Sequence, residues 1–176
     1  MRHGFHATSM RQILDAAGMS SGGAYNYFPS KDDIVLALVA EERADIDYLV
    51  ARLRGQRDPV VGIAEFVYDA IAHIDREQAV LTAEIYAEAP RNPVVREMTD
   101  ANSRGMEQAL RSAISEGVKA NAIASRHDPT ETAELLLALI EGYIGRIAAN
   151  PKLAAGSAAR VARATVRELL GGSEAG

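Results

Sequence analysis

Residues 18 to 31 read Gly-Met-Ser-Ser-Gly-Gly-Ala-Tyr-Asn-Tyr-Phe-Pro-Ser-Lys. Ser20, Ser21, Gly22 and Gly23 open a short helix of about 21–28, whose N-terminal amides form a natural phosphate site. Tyr25, Asn26 and Tyr27 follow, and each can donate a hydrogen bond to a phosphate or reach a base edge. Thr8, Ser9 and Arg11 stand on the preceding short helix and flank the same groove. Two short helices at a fixed angle, the second turned outward, are a device for reading DNA from the major groove.

Little else in the chain suits chemistry. There are no cysteines, which removes disulfides, thiolate metal sites and cysteine nucleophiles and fits a reducing, cytoplasmic setting. None of His3, His6, His73 and His127 has a glutamate three residues before it, as a di-metal helical site needs. No phosphate loop of the Gly-x-x-x-x-Gly-Lys type occurs. No catalytic residue, metal or cofactor is therefore expected. Glu41, Glu42, Asp45 and Asp47 read as a solvated helix face.

Charge is unevenly spread. The 176 residues carry a net −5, yet residues 1–31 hold Arg2, Arg11 and Lys31 against Asp15 alone, a net of +2, leaving −7 for the rest. A basic head on an acidic body suits a molecule that touches phosphate at one end. No run of 18 apolar residues offers a membrane span, and the start Met-Arg-His-Gly-Phe lacks a signal peptide's apolar core.

Helical periodicity recurs throughout and period-two alternation does not, so an all-α chain is expected. Thr8 is the expected cap of a first helix over about 9–17, and Gly18 its left-handed terminator. Pro29 stops the second helix, and Ser30-Lys31-Asp32-Asp33 resembles a capping box opening a third that passes Leu53. The body then offers helices over about 60–74, 78–89, 94–119, 130–149 and 158–170. In the first of these, positions 60, 63, 64, 67, 71 and 74 form an apolar stripe. Asp128-Pro129-Thr130-Glu131 is a strong helix start. The helix it opens has one stripe of Ala133, Leu136, Leu137, Ile140, Ile144 and Ile147 and a second of Leu135, Leu139 and Tyr143, which calls for two partners. The last helix places Val161, Ala162, Thr165, Val166 and Leu169 on one side, and the last two helices are expected to pair with a second copy.

Gly4-Phe5, Thr8, Ile13, Ala16-Ala17-Gly18-Met19-Ser20, Gly22, Tyr25, Phe28 and Ser30-Lys31 resemble the TetR family of transcriptional regulators. The body fits in helix number and order, with a family-like Ala-Glu-Ala-Pro-Arg-Asn-Pro at 87–93. The resemblance implies a homodimer whose N-terminal helices bind a pseudo-palindromic double-stranded operator, and whose body binds a small molecule that releases it. Repression is the expected outcome; a dimeric ligand- or partner-binding module without DNA activity is the alternative. Lys31 resembles the family's phosphate-binding lysine. Ile13, Leu14, Ala17, Met19, Ala24, Phe28, Ile34 and Leu38 would form the small core of the head.

The implied division is a DNA-binding head at 1–45, an effector-binding and dimerisation body at 46–170, and a disordered tail at 171–176. Tyr68, Tyr86, Met98, Asn102, Met106 and Tyr143 are polar-tipped or adaptable residues suited to lining an effector pocket. Two features depart from the family. Gly23 replaces a common hydroxyl residue, and two adjacent glycines cost the helix roughly 1 kcal/mol each relative to alanine. The family's first helix is also missing, so the natural chain is expected to begin further upstream or the head to be weakened. Without that cover, exposing a large apolar residue such as Leu14 forfeits roughly 1.5–3 kcal/mol.

Overall fold

The computed structural model describes residues 9–16, 18, 27–124 and 127–171, and within them every regular element is helical. The elements are α1 (Met10–Ala16), α2 (Lys31–Arg54), α3 (Pro59–Ala72), α4 (Arg76–Glu88), α5 (Pro93–Lys119), α6 (Pro129–Ala149) and α7 (Ala155–Leu169).

Local chemistry sets most of these boundaries. At α1 Ser9 and Gln12 make a reciprocal cap: the Ser9 N–H donates to Gln12 Oε1 at 2.8 Å, and Ser9 Oγ accepts from the Gln12 N–H at 3.3 Å; the expected cap Thr8 lies outside the described residues. Gly18, at φ 67°, lies in the left-handed region a glycine occupies without strain. Ser30 and Asp33 form the expected capping box of α2, with Asp32 and Asp33 in its first turn and Arg52 and Arg54 in its last, the polarity the helix dipole favours. Asp58-Pro59, Asn92-Pro93 and Asp128-Pro129 each cap a helix that starts on proline. The Asp128 carboxyl is held below its ordinary value, first by the backbone amide of Thr130.

Two starts differ from expectation. Asp75 and Gln78 make a full capping box, so α4 begins at Arg76 and Gln78 is its third residue rather than its first. Helix α7 begins at Ala155, one turn early, with no side-chain cap. A run of alanine and glycine carries no punctuation from which to read that start.

Helix α3 is the centre of the body, packed against α2, α5, α6 and α7, most extensively against α7. This explains why Gly62 and Phe66 are buried beside the expected stripe of Val60, Ile63, Ala64, Val67 and Ile71. On α7 the face expected to be single is split. Ala158, Ala159, Ala162 and Val166 point inward, whereas Val161 is 58% exposed and Thr165 is also exposed.

The buried apolar residues form two clusters among the described residues. The larger joins α2 from Ile46 onward to α3, α4, α5, α6 and α7, with Leu110, Ile114, Leu136 and Leu170 at its heart. The smaller gathers Val35 and Val39 of α2, Ile85 of α4, Ala89 just beyond it and Val95 of α5, flanked by half-buried Ile13, Leu38 and Met98. Leu14 is only 2% exposed, so the loss of cover expected at this end is partial. Helix α2 runs through both clusters without a break.

Candidate functional site

Of the sequence-nominated DNA contacts, Ser9, Arg11, Tyr27 and Lys31 fall within the described residues. Thr8, Ser20, Ser21, Gly22, Gly23, Tyr25 and Asn26 lie outside them, as do the packing candidates Ala17, Met19 and Ala24. Ser9 and Arg11 are exposed at the start of α1, and Tyr27 is 78% exposed three residues before the Ser30 cap. The Ser9 hydroxyl also donates to Gln12 Oε1 at 3.0 Å, so it holds the helix start while facing solvent. Lys31 is half-buried as the first residue of α2. These residues sit at the end of the molecule that carries the smaller apolar cluster, through Ile13 of α1 and Val35 of α2.

The six nominated effector contacts are spread over α3, α4, α5 and α6. Tyr68 is half-buried on α3, with the Arg163 guanidinium of α7 4.6 Å from its ring centre. Arg163 and Arg167 also reach Glu65, each at 3.3 Å, so this corner is a packed ion-pair and cation–π arrangement. Tyr143 packs half-buried against the larger core. Met98, Asn102 and Met106 share one face of α5, spaced four residues apart. Met98 borders the smaller cluster, Met106 belongs to the larger, and Asn102 lies between them.

Around Asn102 the structure brings together polar groups from four helices. The buried Asn102 amide, 3% exposed, donates from Nδ2 to the Val39 carbonyl at 3.3 Å and to Glu42 Oε2 at 3.1 Å. Glu42 is therefore turned inward, and the acidic run on α2 is not the uniformly solvated face its sequence suggests. Burial raises the Glu42 carboxyl above its ordinary value, the Asn102 hydrogen bond opposes this, and the charges of Asp45 and Glu141 add to it. Tyr86 of α4 hydrogen-bonds to Ser103 and is pushed up to about 12, by burial first and then by the charge of Glu42. Glu141 of α6, at the solvent edge, is raised by partial desolvation.

Beside this group an open cleft of about 330 Å3 separates α2 from α5, within the size range of small-molecule sites. Arg43, Asp47, Arg54, Gly105 and Gln108 line it, and none of the six nominated residues does. Arg43 Nε pairs with Asp47 at 3.0 Å, and its Nη1 donates to the Ala101 carbonyl at 3.4 Å. Gly105 makes room for that reach: a Cβ there would stand 3.3 Å from Arg43 Nη1. Sequence reading missed the cleft because its walls combine surface residues with the core residues Ile46, Val50 and Ala109, from segments about 60 positions apart. A glycine mid-helix opposite an arginine was the one signal available.

Among the described residues no helix is long and apolar enough to cross a membrane, and no group of three or more His, Cys, Asp or Glu side chains could hold a metal ion.

Two family models match the chain, one at each end. Residues 1–38 match the model of bacterial regulatory proteins of the tetR family. Residues 64–171 match that of the C-terminal region of BetI-type transcriptional repressors. The chain is 26% identical over 153 residues to the HTH-type transcriptional repressor AcnR of Corynebacterium diphtheriae, covering 84% of this chain and 74% of that one. It resembles the solved structure of Salmonella enterica GusR at 29% identity and a TM-score of 0.68, covering 96% of this chain and 88% of that one. The regulator PfmR of Thermus thermophilus shares the fold at 21% identity and a TM-score of 0.79, covering 98% and 89% of the two chains.

Proposed function

This chain belongs to the TetR family of transcriptional regulators, and we propose that it is a homodimeric repressor released from a pseudo-palindromic operator by a small molecule. The observation that carries this reading is α2. Its 24 residues form one continuous helix, roughly 36 Å long, that begins at Lys31 beside the DNA-reading segment and ends in the body core. A tilt imposed on its body end moves the head by ångströms. Two heads spaced wrongly lose one half-site, which suffices for release.

In this reading residues 1–45 are the DNA-binding head, 46–170 the effector-binding and dimerisation body, and 171–176 a tail. Thr8, Ser9, Arg11, Ser20–Gly23, Tyr25, Asn26, Tyr27 and Lys31 contact DNA. The seam between α2 and α5, with its cleft and its buried polar group, is the effector region; Tyr86, Met98, Asn102 and Met106 belong to it. The dimer forms through α6 and α7. Leu135, 53% exposed, and Val161, 58% exposed, supply apolar surface there. Gly142 and Gly145 have nothing within 4 Å of where a Cβ would sit, which leaves room for a partner helix to approach closely.

Binding of the purified protein to operator duplex, followed by fluorescence anisotropy at several salt concentrations, tests the reading. Lys31→Ala is expected to weaken all sequences alike and to lower the salt slope by about 1 per site. Loss confined to one sequence would contradict a phosphate role. A small molecule that binds the body and leaves operator affinity unchanged would contradict release. Leu135→Arg is expected to yield monomers in sedimentation and to abolish high-affinity operator binding.

A further inference from the structure

The stripe that α2 buries runs through Val35, Val39, Glu42, Ile46, Val50 and Leu53, and only one of these six is polar. The facing stripe of α5 runs through Val95, Thr99, Asn102, Met106 and Ala109; Thr99 turns its hydroxyl back to the Val95 and Arg96 carbonyls of its own helix, whereas Asn102 reaches across to α2. The two interruptions meet: Asn102 Nδ2 donates to Glu42 Oε2 at 3.1 Å and to the Val39 carbonyl at 3.3 Å. They meet where one apolar cluster gives way to the other, since Val39 belongs to the smaller and Ile46 to the larger. At this level Tyr86 and Ser103 complete a polar layer across the bundle.

Apolar packing is non-directional and tolerates sliding. A buried amide is not, because leaving its N–H unpaired is costly, so it selects one register among several that packing would accept. We propose that Asn102 is a positioning residue: it latches α2 to α5 at a polar layer between two cores and so fixes the angle at which α2 presents the head. The proposal rests on the regulator reading for its consequence at DNA, but the latch itself is a property of the free protein.

The test measures the angle directly. The chain has no native cysteine, so Ala37→Cys on the exposed head side of α2 and Lys152→Cys in the body accept spin labels without background. Labelled chain diluted into unlabelled chain reports the intramolecular distance by pulsed electron paramagnetic resonance. The parent is expected to show one narrow distance. Asn102→Leu, which keeps the site filled and removes the donor, is expected to broaden or displace it by several ångströms while circular dichroism shows the same helix content. Glu42→Gln retains an oxygen acceptor and is expected to keep the narrow distance. If Asn102→Leu does not fold, Glu42→Leu, which leaves Asn102 only the Val39 carbonyl, is expected to broaden the distribution.

A folded Asn102→Leu chain, or failing that Glu42→Leu, with the parent distribution would overturn the proposal. So would a broadened Glu42→Gln, because the acceptor would then not be what matters. Operator affinity of Asn102→Leu is expected to fall on the order of tenfold, the size of effect seen when a coupling element is disturbed. A parent that binds no DNA refutes the regulator reading, and the distance measurement still decides the latch.

Discussion

The two apolar cores of this molecule are built differently. The body core draws on six helices and buries Ile63, Ile71, Leu110, Ile114 and Leu136 almost completely. Among the described residues the head-side core rests on Val35, Val39, Ile85, Ala89 and Val95, bordered by half-buried side chains. Buried apolar area sets stability, so the second is expected to open at lower cost than the first. A regulator needs this inequality: the region that senses must stay folded while the region that reads DNA shifts.

The sharpest way to break the contrast is through the body. Leu110→Ala is expected to cost about 2–5 kcal/mol, the usual range for truncating a fully buried leucine, and to shift the whole denaturant transition. Val39→Ala should cost about 0.5–3 kcal/mol. Its signature is regional: hydrogen exchange should quicken over residues 31–40 and stay slow in α3 and α6. If exchange quickened equally in both, the molecule would have one cooperative core, not two.

Smaller effects probe the layer between the cores. Tyr86 releases its proton near 10 in the unfolded chain and only near about 12 when folded. Its contribution to stability is thus present below pH 10 and lost as pH rises from 10 towards 12. Tyr86→Phe is expected to flatten that limb of a stability-against-pH curve. Glu42 is raised above its ordinary 4.5, so the folded state holds its proton more tightly than the unfolded chain does. Stability from this group is present at and below pH 4.5 and lost as pH rises above it. Asn102, Tyr86, Asp45 and Glu141 surround the carboxyl, and no cation among the described residues pairs with it. Glu42→Gln is accordingly expected to be the more stable protein at neutral pH and to lose the advantage in acid. The smallest expected change is at the ion pairs of Glu65 with Arg163 and Arg167. These are partly exposed, so Arg167→Ala should cost no more than about 1 kcal/mol.

How much of this was legible in the sequence follows the range of the forces involved. Caps act over three or four residues, and Ser30-Asp33 and Asp128-Pro129 could be read directly. Gly18 announced its left-handed turn for the same reason. Stripes on α3 and α6 were visible because one face repeats every turn. What stayed hidden was tertiary. Phe66 is buried because α3 lies between other helices, and Val161 faces out because Ala158, Ala162 and Val166 already fill the inner side. Glu42 sits in an acidic run and looks solvated until Asn102, sixty residues later, is placed against it. In the candidate DNA site the residue types suggested contact with DNA, but a hydroxyl at a helix start also caps it, as Ser9 and Ser30 do. In the proposed effector region Asn102 and Tyr86 were legible as polar-tipped residues suited to a pocket, but the cleft beside them joins two surfaces that no local pattern connects.

The measurement that bears most directly on the assignment is selection of fragmented genomic DNA by the purified protein, followed by sequencing and a search for enriched motifs. A two-fold symmetric motif, with half-sites spaced as a dimer of these heads requires, is the expected result. Recovery of no enriched sequence, from protein shown to be folded and dimeric, would contradict the claim that this chain is a sequence-specific regulator.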